Sequence, residues 1–388
     1  MPDLPQRLGV VGAGTMGAGI AQLGCLAGIE TVLHDPITAA LEKGVASIHA
    51  NIDKGAERGR WSADDAAAAH GRLRPATTLD ELAGCELVIE AAPENFELKR
   101  ELFQGLGQVV GDEAVLATNT SSIPVTQIAG AARNPENVVG LHFFNPAPLM
   151  KLVELIAAVQ SGERALAVAR ATGEAMGKRV ILASDGPGFL VNRCGRPFTS
   201  EGLRLLQERL ATHEEIDRIY RVGGGYRMGP FELMDLVGID VSVAVAQSFM
   251  ELSFGEPRWR PNPLAARMVA AGRLGRKAGI GWYEYSAGTP HRPDDPSGAQ
   301  LTDPEAQLLD RVQCCIVNEG VFALGEGVGS ADDIDAGVKL GLNWPKGSIE
   351  LGRELGFDHV LATMDELWDT YHEERYRAAP VLRRGELE

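Results

Sequence analysis

Apolar positions in the first half of the chain come in short runs separated by stretches of helical spacing. Leu8-Gly9-Val10-Val11 is one run, Thr31-Val32-Leu33-His34 a second and Leu87-Val88-Ile89-Glu90-Ala91-Ala92 a third. Ala114 to Ala117, Asn137 to Leu141, Lys151 to Ala157 and Val180 to Ala183 continue the series. Runs this continuous predict strands covered on both faces. Helical spacing predicts helices from the glycines after Val11 to about Ala27, over Thr38 to Gly59, Glu97 to Val109, Val125 to Ala129 and Glu163 to Met176. Ser62-Ala63-Asp64-Asp65 has the form of a capping box at the start of another helix. Alternating strands and helices predict an α/β, Rossmann-like doubly wound sheet.

Asp185-Gly186-Pro187-Gly188 marks a boundary, beyond which strand signals fade and helical spacing takes over. Glu201 to Asp240, shifted forward by 118 residues, falls on Glu319 to Asp358. Identities include Glu201/Glu319, Gly202/Gly320, Asp217/Asp335, Gly229/Gly347, Glu232/Glu350, Gly238/Gly356 and Asp240/Asp358. Glycines matched at turn positions point to duplication of one helical unit. The stretch from Ser286 to Gln300, rich in Pro, Gly, Asp and Ser, reads as a linker. The expected organisation is a nucleotide-binding sheet over 1–184, a helical unit over 185–286, a linker over 287–300 and a second helical copy over 301–388. Asn192 of the first copy maps onto Asp310 of the second, and the Gly-Pro-Gly entry has no counterpart there. The second copy is therefore expected to pack and not to react.

Composition narrows the partners. The chain has 388 residues and a net charge of -16, which argues against nucleic acid and anionic membrane surfaces. The five cysteines show no CxxC spacing, so neither a zinc site nor a disulfide framework is expected, and a reducing compartment is. No bilayer-length apolar stretch and no apolar leader are present. The expectation is a cytoplasmic protein without a metal.

Candidate chemistry begins at Gly12-Ala13-Gly14-Thr15-Met16-Gly17, between the first strand and the first helix. Gly12 permits the tight turn, Gly14 lets backbone approach a pyrophosphate and Gly17 lets helix lie on strand. The helix N-terminus offers free amides and a partial positive charge to that pyrophosphate. Asp35 follows Gly12 by 23 residues, where an acid bonds a ribose 2′-hydroxyl and repels a 2′-phosphate, so NAD is expected over NADP. Glu94, Lys99, Asn119 and Ser121 fall at the carboxyl edge of the same sheet. His142 and Glu154 read as emerging from adjacent strand ends, a short loop with Pro146 and Pro148 apart. An imidazole oriented by a carboxylate can take a proton near neutral pH. Lys43, Lys54, Arg58 and Arg60 lie along or just beyond one helix, where a phosphorylated substrate could meet a basic edge.

Together the motifs GAGTMGAG, AAPENFELK, NTSS, LHFFNP, KLVE, DGPGFLVNR, GYRMGPFELMDLVGID and GRKAGIGWYEY resemble the 3-hydroxyacyl-CoA dehydrogenase family over nearly the whole chain. The resemblance implies NAD-dependent oxidation of a 3-hydroxyacyl-CoA, as in β-oxidation and short-chain acyl-CoA metabolism. It implies His142 as catalytic base and Glu154 as the group that orients it. Ser121 and Asn192 would bind the reacting oxygen, with Asn145 near nicotinamide and substrate. Asp35, Glu94, Lys99 and Asn119 would contact NAD, and Lys43 and Lys54 coenzyme A. Short acyl chains such as 3-hydroxybutyryl are expected. Members with a hydratase portion also carry two helical units, but no hydratase region precedes Leu8 here. A second unit covering in cis what a partner subunit would cover is compatible with a monomer as well as a homodimer. The polar run Arg193-Cys194-Gly195-Arg196-Pro197 departs from the family pattern and points to an altered acyl pocket. Two alternatives are a dehydrogenase of a free hydroxy or sugar acid, of the gulonate type, and a non-catalytic NAD-binding protein.

Overall fold

The apolar runs of the first half pair into one sheet of eight strands. The structure, a computed structural model, describes residues 4–293, 295 and 298–387. Residues 1–3 and the linker positions Asp294, Pro296 and Ser297 lie outside the described residues, as does Glu388. The chain folds as two compact units, Met1–Asp185 and Gly186–Glu388.

In the first unit the strands are β1 (Arg7–Val11), β2 (Glu30–His34), β3 (Leu73–Ala76), β4 (Leu87–Glu90), β5 (Val115–Thr118), β6 (Val138–Phe143), β7 (Leu152–Ala157) and β8 (Arg179–Ser184). The helices are α1 (Thr15–Leu26), α2 (Thr38–Glu57), α3 (Ala63–Arg72), α4 (Phe96–Val109), α5 (Val125–Ala129) and α6 (Glu163–Ala175). The strand order is β3-β2-β1-β4-β5-β6-β7-β8. All pairs are parallel except β6 with β7. The sequence reading missed β3, a four-residue edge strand containing Pro75. Proline is tolerated there because one side of an edge strand needs no ladder donor.

Val10, Leu33, Ile89, Val115, Leu141 and Leu155 are among the buried strand residues, and Ile20, Ile48 and Ala169 of the helices close over them. Each large apolar side chain so buried contributes about 1.5–3 kcal/mol. Because β1, β2, β4, β5 and β6 run parallel, their carboxyl ends share one edge. That edge carries the glycine loop, Asp35, Glu94, Asn119 and the end of β6 with His142.

The second unit is helical. It comprises α7 (Val191–Cys194), α8 (Arg196–Gln207), α9 (His213–Val222), α10 (Pro230–Val237), α11 (Ile239–Leu252) and α12 (Pro263–Ala270). A two-stranded hairpin of β9 (Tyr285–Ser286) and β10 (Thr289–Pro290) occupies part of the expected linker. It is followed by α13 (Asp303–Gly325), α14 (Ala331–Gly341), α15 (Ser348–Leu355), α16 (Phe357–Tyr371) and α17 (Pro380–Arg383). The five cysteines are buried free thiols. Among the described residues no single helix is long and apolar enough to cross a membrane.

The sequence repeat has a physical counterpart. Asp217 accepts the backbone N–H groups of Phe231 and Glu232, both at 2.9 Å, at the start of α10. Asp335 accepts those of Ile349 and Glu350, at 2.7 and 3.0 Å, at the start of α15. Free amides of a helix N-terminus need such acceptors. The carboxylate lies so close that a Cβ on Gly229 or Gly347 would come within 2.2 Å of it. Gly229→Ala should therefore destabilise the second unit by about 1–3 kcal/mol, the usual cost of overpacking. A melting temperature unchanged by the substitution would show that this cap can yield. Burial pushes the Asp217 carboxyl up to about 7, against the pull of its backbone donors and the Tyr283 hydroxyl. A raised carboxyl contributes its stability fully below its unfolded pKa and loses it as pH rises through about 7.

Candidate active site

The glycine loop leaves β1 at Val11 and enters α1 with Gly14 as its N-cap. A Cβ on Gly17 would sit 1.7 Å from the Gly12 carbonyl oxygen, so only glycine lets α1 approach the turn. A Cβ on Gly14 would meet nothing within 4 Å, which leaves open room above the loop. Thr15 is exposed and Met16 half-buried, and the first turn of α1 carries no acid to repel an anion. Asp35 follows β2, and its carboxylate accepts from the N–H of Ala13 in the loop and of Ile37, each at 2.9 Å. An open glycine cradle at a helix N-terminus with an acid beside it fits a dinucleotide.

A buried polar network lies between the ends of β4 and β5. Glu90, fully buried, accepts from Lys99 Nζ at 2.6 Å, the Thr118 hydroxyl at 2.7 Å and the N–H of Ala92 at 2.7 Å. Lys99 is 1% exposed and lies 3.5 Å from Glu94. Glu94 in turn accepts from the Thr120 and Ser122 hydroxyls and from the N–H groups of Ser121 and Ser122, at 2.6–3.0 Å. Burial works to raise its carboxyl, but the Thr120 hydroxyl, Lys99 and Ser122 outweigh it and hold it below the usual range. Glu94 and Lys99, expected as cofactor contacts, are tied into this network: Glu94 fixes the Asn-Thr-Ser-Ser turn, where Ser121 is exposed, and buried Lys99 is committed to Glu90 and Glu94. Asn119 Oδ1 accepts from the N–H of Phe143 at 2.8 Å, joining the turn to the end of β6.

His142 and Glu154 meet more closely than the sequence suggested. They stand at the end of β6 and near the start of β7, the strands joined by the turn over 144–151, and are direct partners in the antiparallel β6–β7 ladder. His142 Nδ1 lies 2.7 Å from Glu154 Oε2, with Glu154 at 0% exposure. An acceptor carboxylate requires the proton on Nδ1, which leaves the basic lone pair on Nε2. Asn145 is exposed in the turn that follows. That turn is held by Lys178, which donates to the carbonyls of Ala147 and Met150, each at 2.7 Å, while burial pulls its amine down to about 8. Sequence reasoning missed Glu90 and Lys178. The signal available for Glu90 was a lone acid inside an apolar run; for Lys178 there was none.

A cavity of about 350 Å³ in the same unit is lined by Ser47, Asn51, Lys54, Arg58, Arg60 and Trp61, with Gly19 and Pro148 among its other walls. Lys54 belongs to it. Lys43 is exposed on α2 and is not part of its lining. Asn192 lies in the second unit, half-buried on α7.

Known proteins resemble this chain over nearly its full length. The family model for the 3-hydroxyacyl-CoA dehydrogenase NAD binding domain matches residues 7–186. The model for the C-terminal domain of that family matches at 188–285 and at 308–385. A 3-hydroxyadipyl-CoA dehydrogenase of Escherichia coli K12 is 34% identical over 98% of both chains. A 3-hydroxybutyryl-CoA dehydrogenase of Mycobacterium tuberculosis is 40% identical, over 74% of this chain and all of the other. The crystal structure of a 3-hydroxybutyryl-CoA dehydrogenase from Escherichia coli K12 superposes with a TM-score of 0.90 at 33% identity, covering 99% of this chain and 98% of that one. The chain belongs to the 3-hydroxyacyl-CoA dehydrogenase family and is an NAD-dependent oxidoreductase.

Proposed function

We propose that the protein oxidises (S)-3-hydroxyacyl-CoA to 3-oxoacyl-CoA, reversibly, with His142 as general base and Glu154 as the group that orients it. The observation that supports this most is the 2.7 Å contact between His142 and a fully buried Glu154. It stands on the same sheet edge as the dinucleotide loop. His142 Nε2 takes the hydroxyl proton, and the imidazolium that forms is stabilised by Glu154. Bound NAD supplies the acceptor for the hydride leaving C3. Ser121 and Asn192, the two groups the family resemblance assigns to the reacting oxygen, would donate to it and hold it as its bond order changes. Asn145 would lie beside the nicotinamide and the substrate when they are bound. Asp35 selects the unphosphorylated ribose, while Glu94, Lys99 and Asn119 shape the rest of the cofactor site.

Lys54, Arg58 and Arg60 give the 350 Å³ cavity three cations, the charge that coenzyme A phosphates require. Lys43 is a further contact, from the exposed face of α2. The reaction serves fatty-acid or short-chain acyl-CoA metabolism.

The test is NADH oxidation with acetoacetyl-CoA beside free acetoacetate. Turnover of the thioester and not of the acid is the expected result. Turnover of the acid alone would make the protein a free hydroxy-acid dehydrogenase, and turnover of neither would overturn the reading for short acyl chains.

A further inference from the structure

The second helical copy brings together three side chains whose counterparts in the first copy are of other kinds. Asp310 and Cys314 stand four residues apart on α13, a spacing that puts both on one helix face. His359, in the first turn of α16, reaches the same place. Its Nε2 is 2.9 Å from Asp310 Oδ1 and 3.1 Å from Oδ2. The Cys314 Sγ is 3.9 Å from the same Oδ1. One nitrogen, one sulfur and one oxygen thus lie within 4.8 Å of one another. The Thr363 side chain, one turn beyond His359 on α16, also bonds the Cys314 thiol.

The repeat assigns this set to the second copy. Shifted by 118 residues, Asn192, Arg196 and Val241 fall on Asp310, Cys314 and His359. The elements shift with them. α8 runs from Arg196 to Gln207, against Cys314 and the Gly325 end of α13, and α11 begins at Ile239, against Phe357 of α16. An amide, a guanidinium and a valine do not hold a cation together, whereas a carboxylate, a thiolate and an imidazole do. An aspartate–histidine pair alone is an ordinary surface contact. The thiol beside it completes a mixed oxygen, nitrogen and sulfur donor set, which suits zinc.

We propose that Asp310, Cys314 and His359 bind one Zn²⁺ ion, which ties α16 to α13. Bonds of about 2.3 Å to sulfur and about 2.0–2.2 Å to nitrogen and oxygen, at tetrahedral angles, place the donors about 3.3–3.7 Å apart. Side-chain shifts of about 1 Å bring the three atoms to that spacing. The His359 and Asp310 side chains are 49% and 33% exposed, so the ion enters from solvent and a water takes the fourth position. On binding, the Cys314 proton leaves to solvent, and the imidazole coordinates as the neutral ring through Nε2 with its proton on Nδ1. The Thr363 hydroxyl donates to the thiolate and orients it. Cysteine spacing gives no sign of such a site, because one cysteine takes part and His359 comes from a different helix. The site is separate from the chemistry proposed at His142, and either can fail without the other.

The test strips the full-length protein with EDTA and titrates it with Zn²⁺ against a chromophoric chelator. The wild-type protein should take up one equivalent with a Kd of about 1 µM or tighter. His359→Ala and Cys314→Ser should each weaken that affinity by about 100-fold or more, since losing even an outer-shell contact costs about 10–100-fold. His359 is exposed, so its removal probes the site without disturbing the packing around buried Cys314. Titration of the wild-type protein with Co²⁺ supplies a second measurement. A sulfur-to-cobalt absorption band in the near ultraviolet is expected, and it should vanish in Cys314→Ser. A wild-type protein that takes up no tight Zn²⁺ overturns the proposal. So does an equivalent that both variants retain, and so does a Co²⁺ complex without the sulfur band.

Discussion

Replacing His142 by glutamine is expected to lower kcat by about 10²–10⁴ while NAD still binds, because positioned proton transfer is worth that much. Glutamine can fill the space and offer hydrogen bonds, but it cannot take a proton from an alcohol near neutral pH. The side chain stands at the end of β6, and its Nδ1 is committed to Glu154 at 2.7 Å. Only Nε2 is left to act as base. The glycine loop and Asp35 belong to other strands, β1 and β2, so the substitution leaves them in place. Stopped-flow or steady-state turnover gives kcat, and NADH fluorescence titration gives cofactor affinity. A variant turning over near the wild-type rate would remove His142 as base. A variant that no longer bound NADH would show that the substitution had damaged the sheet edge, and its turnover would then say nothing about the base.

The features legible in the sequence are the local ones. The glycine loop, the strand before it and Asp35 lie within a few dozen residues, and their spacing follows from one βαβ unit. The helical repeat was legible for a related reason. Asp217 with Gly229, and Asp335 with Gly347, are each locked by one close carboxylate–backbone contact that tolerates few substitutions. What stayed hidden depends on pairing across the chain. His142 and Glu154 could be placed near each other by a short loop, but their direct opposition follows from the antiparallel register of β6 and β7. The edge strand β3 gave no signal because four residues with a proline carry no periodicity. Lys178 supports the turn after His142 from 28–31 residues away, and nothing in its own surroundings marks it. Arg196 was legible only as one member of the polar run from Arg193 to Pro197. The pairing of Glu201, on the same helix, with Arg311 depends on the packing of α8 against α13.

The second large effect is expected at Glu154. Glutamine there should lower kcat by about 10² or more, for reasons distinct from those at His142. Glu154 is fully buried in β7 and touches His142 Nδ1 directly across the ladder. As a carboxylate it can only accept, so it keeps the proton on Nδ1 and stabilises the charge that arises when Nε2 is protonated. An amide at the same place can present its NH₂ group to Nδ1, which turns the imidazole into the tautomer with Nε2 already protonated. A wrong tautomer disables a base without moving it. The charge partner is lost as well. Residues that act as one unit give losses that do not multiply. The double variant His142→Gln/Glu154→Gln should therefore be about as slow as His142→Gln alone, with its fold checked by melting temperature. If the two single losses multiplied in the double variant, Glu154 would be contributing through something other than His142.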